Sequence, residues 1–281
     1  MRLCSFHEGE VVRVGILIEG KVCTIDEINR ELGTTYSASM AALIRNEEIF
    51  TLQKILHRDV RIGTSGRLSE DVRYAPPYPA PPKIWGIGLN YIDHAADLKV
   101  SPPEEPASFM RPSTTIIGHG DPIVLPRQSQ RVTAEAELAV IIGRRCKNIS
   151  VEEVPAVLLG FTTVLDMTAE DILQRNPRFL TSAKSFDTFF SFGPWILTPS
   201  EIPDLAATRI ATVLNGQSER VNVVGNMAFP PYALVAFHSR VMTLLPGDII
   251  STGTPGAVPL RSGDIVRCEV GGFPLLENPV A

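Results

Sequence analysis

The spacing of apolar residues changes character along the chain. "VVRVGILIEGKVCTI" reads as two short strands around the turn "EGK", a hairpin. "TIDEINRELG" and "SASMAALIRNEEIFTLQKILHR" then carry helical spacing, with an Asp or Ser near each start. "RYAPPYPAPPK" follows, too rich in proline for an interior helix or a central strand, and reads as a stiff linker. The pattern therefore divides the chain into a small N-terminal unit (1–72), a linker (73–83) and a main unit (84–281). In the main unit short strands dominate: "KIWGIGLN", "TTIIGHGDPIVL", "EAELAVIIG", "GFTTVLDM", "RIATVLNGQ", "DIISTG" and "DIVRCEV", separated by Gly-Asp, Asn-Gly and proline turns. Helical spacing is confined to 92–99, 151–158, 168–176 and 231–243. The fold class expected is α+β, mostly β: a rolled or barrel-like mixed sheet preceded by a small α/β unit.

Composition narrows the classes of function. A 281-residue chain with 44% hydrophobic and 20% charged residues is ordinary for a globular protein. A net charge of −5, without a basic run, offers no electrostatic footprint for nucleic acid or an anionic membrane. Cys4, Cys23, Cys146 and Cys268 are too scattered for a zinc site or a disulfide framework. The first residues carry no secretory h-region, and the apolar run "AVLLGFTTVL" is too short to span a bilayer. The expectation is a cytoplasmic protein with reduced thiols and no membrane partner.

Candidate chemistry begins in "VTAEAELAVIIG". Glu135 and Glu137 are two residues apart in a strand, so both point to one face. Two like charges buried side by side need a positive group between them. Asp166, at the end of the apolar run "GFTTVLDM", adds a third oxygen donor; Thr168 follows as a candidate helix cap. The trio suits a hard divalent cation, Mg²⁺, Mn²⁺ or Ca²⁺. The competing reading is a solvated edge strand and an ordinary turn aspartate.

Three further clusters stand out. In "GIGLNYIDHAADL", His94 and Asp97 fall three residues apart on one helix face, the arrangement of an imidazole base oriented by a carboxylate. In "TSAKSFDTFF", Lys184 stands among small and apolar residues, where an anionic substrate group would justify a buried amine. In "STGTPGAV", Gly253 and Thr254 belong to a loop able to approach a carboxylate closely. A surface His–Asp pair, a snorkelling lysine and a plain turn are the respective alternatives.

The order and content of these segments, together with "FMRPSTTIIGHGDPIVLP", "VLNGQ", "LLPGDIISTGTPGAV" and "LRSGDIVRCEVGG", resemble the fumarylacetoacetate hydrolase family over about 80–281. That family includes acylpyruvate hydrolases, oxaloacetate decarboxylases or tautomerases, and hydroxyheptadienedioate isomerases. The resemblance implies a mixed β-roll, usually a homodimer. It implies Mg²⁺ or Mn²⁺ on Glu135, Glu137 and Asp166, with His94, Asp97 and Lys184 as catalytic residues. Substrate would be held by Lys184, Gly253, Thr254 and the position of Glu170. Two residues depart from the family pattern. Asp97 stands where Glu is usual, and Glu170 stands in "DMTAED" where the family has Arg. Arg175, on the same helix face, is a candidate replacement for that lost guanidinium.

The function expected is cleavage of a C–C bond in a small 2-oxo acid or 1,3-dicarbonyl compound, by hydrolysis or decarboxylation through a metal-stabilised enolate. Tautomerisation or isomerisation through the same enolate is the first alternative. A catalytically inactive metal-binding member is the second, favoured by Asp97 and Glu170 and opposed by the intact trio, His94 and Lys184.

Overall fold

The two longest strands pair with each other, and their register organises the rest. In the computed structural model, which describes residues 1–56, 66–91 and 103–281, Val132–Ile142 and Leu158–Ala169 run antiparallel. Thr133 stands opposite Thr168, Glu135 opposite Asp166, and Glu137 opposite Val164. A register shift between Leu158 and Gly160 lies at the far end of this ladder. These two are the Glu135 strand and the Asp166 strand.

Side-chain alternation gives each strand two faces with different neighbours. On the Glu135 strand, Ala134, Ala136, Leu138 and Val140 pack into a core with Ile210, Val266, Cys268 and Leu276. Those last four belong to a separate four-stranded sheet, ordered Gln217–Val223, Arg209–Leu214, Ile265–Val270, Leu276–Pro279. On the other face Ala139 and Ile141 join a second core with Leu3, Ile16, Leu43 and Leu52 from the first 56 residues. Further along that same face come Glu137, Glu135 and Thr133, which form the floor of a cavity. One half of the face is sealed by apolar side chains and the other half is left open to chemistry.

The large sheet is mixed, with 14 strands. Its main path runs Arg67–Leu68, Lys21–Thr24, Val11–Ile18, Arg2–Glu8, Trp195–Leu197, the Asp166 strand, the Glu135 strand, Ile249–Ser251, Ile84–Gly88, Ala107–Arg111. The N-terminal strands thus continue the sheet through Leu3 opposite Ile196. Ile249–Ser251 runs parallel to Ile84–Gly88 and antiparallel to the Glu135 strand, which brings the 252–256 loop beside Glu137. The fold is mostly β, with seven α-helices among the described residues. None of them is long and apolar enough to cross a membrane.

Local chemistry explains where the expected elements formed. The "EGK" hairpin closes through Glu19 and Gly20, both at positive φ, as a tight turn between twisted strands requires. The Ile25–Leu32 helix is capped by Thr24, in a reciprocal capping box with Glu27, and stops at left-handed Gly33. Elsewhere the structure differs from the pattern. "TTIIGHGDPIVL" holds only the two-residue strand Ile116–Ile117, because the Asp121 carboxylate takes the Gly118 N–H at 2.8 Å and turns the chain. Thr168 caps nothing: the ladder continues past it, the Glu170 N–H donating to Arg131 O at 2.8 Å before the Glu170–Arg175 helix begins. The helix expected at 151–158 shrinks to Val154–Val157, since Leu158 already belongs to the long strand. Strands Arg2–Glu8 and Ala107–Arg111 and helix Leu180–Lys184 form where no pattern marks them. The helix expected at 92–99 lies outside the described residues.

Gly160 marks the closest backbone approach in this framework. A Cβ there would lie 2.1 Å from the Leu197 carbonyl oxygen, so any larger residue must part the Asp166 strand from Trp195–Leu197. Gly160→Ala is expected to lower unfolding free energy by about 2–3 kcal/mol, read from the urea midpoint; an unchanged midpoint would show that the two strands can separate freely.

Candidate functional site

The ladder register assembles the acidic group. Glu135 and Asp166 are directly opposed, and opposed side chains on an antiparallel pair lie about 5 Å apart at Cβ. Glu137 is one step along the same face. One carboxylate oxygen from each residue lies within 4.8 Å of those from the other two. Glu137 and Asp166 are buried at 2% and 1% exposure, so their charges have little water to screen them.

Two cations balance the group. Lys184, at the end of the Leu180–Lys184 helix, places Nζ 2.9 Å from Glu135 Oε2 and 2.8 Å from Asp166 Oδ1. Burial alone would lower the Lys184 pKa, but Asp166 and Glu135 outweigh it and the net direction is upward, so the amine stays charged. Arg111, at the end of Ala107–Arg111 and equally buried, donates Nη2 to Asp166 Oδ1 and to Met167 O. Its Nη1 donates to the Lys184 and Phe189 carbonyls. One guanidinium therefore fixes both Asp166 and the backbone that carries Lys184. Glu137 accepts on Oε2 from Ser251 Oγ and from the Gly253 N–H at 2.9 Å. Burial, then Asp166 and Glu135, push its carboxyl up to about 8, so it is largely protonated at neutral pH. With Glu137 neutral, two carboxylates face two cations and the cluster carries no net charge.

The residues fit a hard divalent cation. All donors are carboxylate oxygens, and Asp166 Oδ2 is buried with no hydrogen-bond partner among the described residues. A cation at that point would take up the free Oδ2 and allow Glu137 to ionise.

The cavity over the trio measures about 410 Å³. Its floor is the ladder face, from Glu137 and Glu135 through Thr133 and Thr168 to Glu170, and its walls include Ile87, Leu89, Phe109, Leu173 and Leu180. Leu89 holds φ 57°, an unfavourable conformation for a side chain of that size. The next residue, Asn90, is pinned in place: its side-chain amide donates to the Phe229 carbonyl at 3.0 Å and the Thr252 carbonyl at 2.7 Å and accepts from the Phe229 N–H at 2.8 Å. Gly253 is required beside it: φ is 93°, and a Cβ would sit 2.8 Å from Asn90 Cβ. Tyr91 is fully buried; burial and the nearby Glu137 raise its pKa, and its hydroxyl has no partner among the described residues.

Of the residues singled out by the sequence pattern, Glu135, Glu137, Asp166 and Lys184 meet at one point, and Glu170 and Thr254 line the same cavity. Gly253 reaches the group through its bond to Glu137. Arg175 is exposed; the guanidinium that meets Glu170 is Arg131, with Nε on Oε2. His94 and Asp97 lie outside the described residues. Arg111 carries no signal of its own: "FMRPS" has no spacing that predicts a buried guanidinium, and its role depends on a partner 55 residues away.

Comparison with known proteins agrees with this geometry. Residues 83–281 match the family described as fumarylacetoacetate (FAA) hydrolase, C-terminal. An uncharacterized protein of Archaeoglobus fulgidus is 45% identical over 74% of this chain and 81% of its own length. The mitochondrial oxaloacetate tautomerase fahd2 of Xenopus laevis is 38% identical over 73% of this chain and 67% of its own. Among solved structures, maleylpyruvate hydrolase from Sphingobium sp. SYK-6, in complex with manganese(II) and pyruvate, superposes with a TM-score of 0.78 at 29% identity, covering 100% of this chain and 99% of that one.

Two outcomes follow from the charge balance. Binding of Mn²⁺ at pH 7 should release close to one proton, the one on Glu137, and affinity should rise roughly tenfold per pH unit until about pH 8. The sign follows from a raised carboxyl pKa: the protonated form is favoured below 8 and must be lost on binding. Titration calorimetry in buffers of different ionisation enthalpy reads the proton directly, and a flat affinity profile would contradict the Glu137 assignment. Arg111→Met leaves Asp166 Oδ1 and three carbonyls short of a donor, and should cost about 3–5 kcal/mol of stability by chemical denaturation.

Proposed function

The chain belongs to the fumarylacetoacetate hydrolase family and is an enzyme, and on that premise we propose that it cleaves a C–C bond of a 2-oxo acid or 1,3-dicarbonyl compound, by hydrolysis or decarboxylation, with a divalent cation on Glu135, Glu137 and Asp166. Mg²⁺ and Mn²⁺ are the ions favoured, Ca²⁺ the third candidate. The observation that carries the reading is the convergence of three buried carboxylates and Lys184 on the floor of one cavity.

When bound, a divalent cation supplies Lewis-acid polarisation of a keto oxygen. The protein's own residues supply the rest. Lys184 is charged, lines the cavity and offers a second positive group to an oxygen that gains charge as an enolate forms. Thr254 takes the substrate carboxylate, while Gly253 acts one step removed by holding Glu137 in place. His94, supported by Asp97, activates water or moves the proton. With the dication bound and Glu137 ionised, three carboxylates face four positive charges. The cluster would then carry one net positive charge, complementary to an anionic oxo acid.

Tautomerisation or isomerisation is the second reading, because the same groups stabilise the same enolate and the Xenopus relative is named an oxaloacetate tautomerase. The proposal also includes a homodimer, which light scattering would report at about twice 30.7 kDa. A cytoplasmic setting fits four cysteines that are all buried and free of disulfides.

The deciding experiment assays the purified protein with Mg²⁺ or Mn²⁺ on acylpyruvates and oxaloacetate. Pyruvate plus a free acid reports hydrolysis, CO₂ reports decarboxylation, and loss of enol absorbance without fragments reports tautomerisation. Glu137→Gln and Asp166→Asn should each abolish Mn²⁺ binding by calorimetry and lower kcat/KM by about 10³-fold. Wild-type Mn²⁺ affinity in both variants would overturn the ligand assignment.

A further inference from the structure

The ladder that holds the acidic trio continues beyond it. From Glu135 and Asp166 the next pair on the same face is Thr133 opposite Thr168, and the next is Arg131 with Glu170. Four residues of strand span about 13 Å, so the Glu170 rung stands roughly that far from the Asp166 rung. The cavity runs along this face, with Glu137, Glu135 and Lys184 at one end and Glu170 at the other.

The two ends offer different chemistry. Lys184 is the one basic side chain among the described residues that line the cavity, and it is engaged with the trio. The segment that follows Glu170 lines the cavity with apolar side chains only: Leu173, Pro177 and Leu180. Glu170 holds its position through Arg131 Nε on one oxygen and Gln174 Nε2, at 2.9 Å, on the other. Both donors bind the carboxylate itself, and the Arg131 side chain is 53% exposed. Between the ends, the Thr168 hydroxyl is buried at the floor with no partner among the described residues.

Building on the oxo-acid reading above, we infer that Glu170 and the apolar wall beside it select a 2-oxo acid with a single carboxylate and an uncharged, apolar tail, and reject one with a second carboxylate at the far end. A substrate anchored by its oxo-acid head at the trio extends its tail over Thr133 and Thr168 toward Leu173, Pro177 and Leu180. A terminal methyl or ring buries apolar surface there. A terminal carboxylate would lose its hydration among those side chains and meet the negative charge of Glu170. Glu170 is thus a specificity residue, acting on the end of the substrate that does not react.

A matched pair of unreactive ligands tests this: 2-oxooctanoate and 2-oxooctanedioate, of equal chain length, titrated into Mn²⁺-loaded protein by calorimetry. The monoacid should bind about 30-fold more tightly than the diacid. Glu170→Gln should shrink that ratio at least about fivefold and Glu170→Arg should reverse it, with Mn²⁺ affinity measured in each variant to show that the trio is intact. Equal or tighter binding of the diacid by the wild type would overturn the inference and leave the oxo-acid reading standing, since both ligands would still depend on Mn²⁺. Binding of neither ligand to the Mn²⁺-loaded protein would sink both together. A ratio that does not move in either variant would remove Glu170 from the selection.

Discussion

Everything in this site rests on keeping three carboxylates together inside the protein. Desolvated like charges at this spacing repel strongly, and a buried ion deprived of its partner costs about 3–5 kcal/mol. The fold meets that constraint with Lys184 between Glu135 and Asp166, with Arg111 behind Asp166, and with a proton on Glu137. Each solution recruits a different element. Lys184 requires the short Leu180–Lys184 helix to end at the cavity, Arg111 requires Ala107–Arg111 to end beneath it, and Glu137 requires the 251–253 loop to supply donors. The same solutions would make the site responsive: a dication held there would compete with the proton on Glu137 and leave the cluster cationic.

Strand register transmits this requirement to the whole sheet. A one-residue slip between the two long strands would move Asp166 to the opposite face and bury it in the apolar core. Apolar packing on both sides resists that slip, with Ala136 and Leu138 against the four-stranded sheet and Ile141 against the N-terminal residues. The N-terminal strands thus contribute to the site without touching it, by sealing the half of the ladder face that lies beyond Glu137. The irregularity at Leu158 and Gly160 falls at that sealed end, where it does not disturb the pairing of Glu135 with Asp166.

Features encoded within a few residues are legible in the amino-acid order alone. Alternation places Glu135 and Glu137 on one face, and the Glu-Gly turn and Pro231–Val241 helix show themselves through local chemistry. Asp166 falls at the end of an apolar run, and Lys184 stands out as a charge in apolar company. The hidden features are those whose meaning depends on distant partners. Arg111 is one polar residue before a proline until Asp166 and Lys184 close around it. The pairing of Glu170 with Arg131 follows from ladder register, which the sequence on either side does not display. Thr168 misleads for the opposite reason: a good capping residue sits where the strand still has a partner, and a nonlocal backbone bond outweighs the local preference.

The ladder also separates the acidic trio from Glu170. Additivity holds for positions more than about 7–10 Å apart that share no partners, and the rungs of Asp166 and Glu170 satisfy that distance. Lys184 and Arg111 contact the first, Arg131 and Gln174 the second. Glu170 is only partly buried and its ion pair is largely exposed on the arginine side, so exchanging its charge costs the fold little. A carboxylate of the trio has no such freedom, because each is tied to buried partners and to the others. On the proposed reading, a chain with this trio and a carboxylate at 170 would keep what holds the oxo-acid head while changing what can follow it. That asymmetry is physical: the trio end is constrained by buried charges that must be balanced one by one, and the far end only by shape and one adjustable side chain.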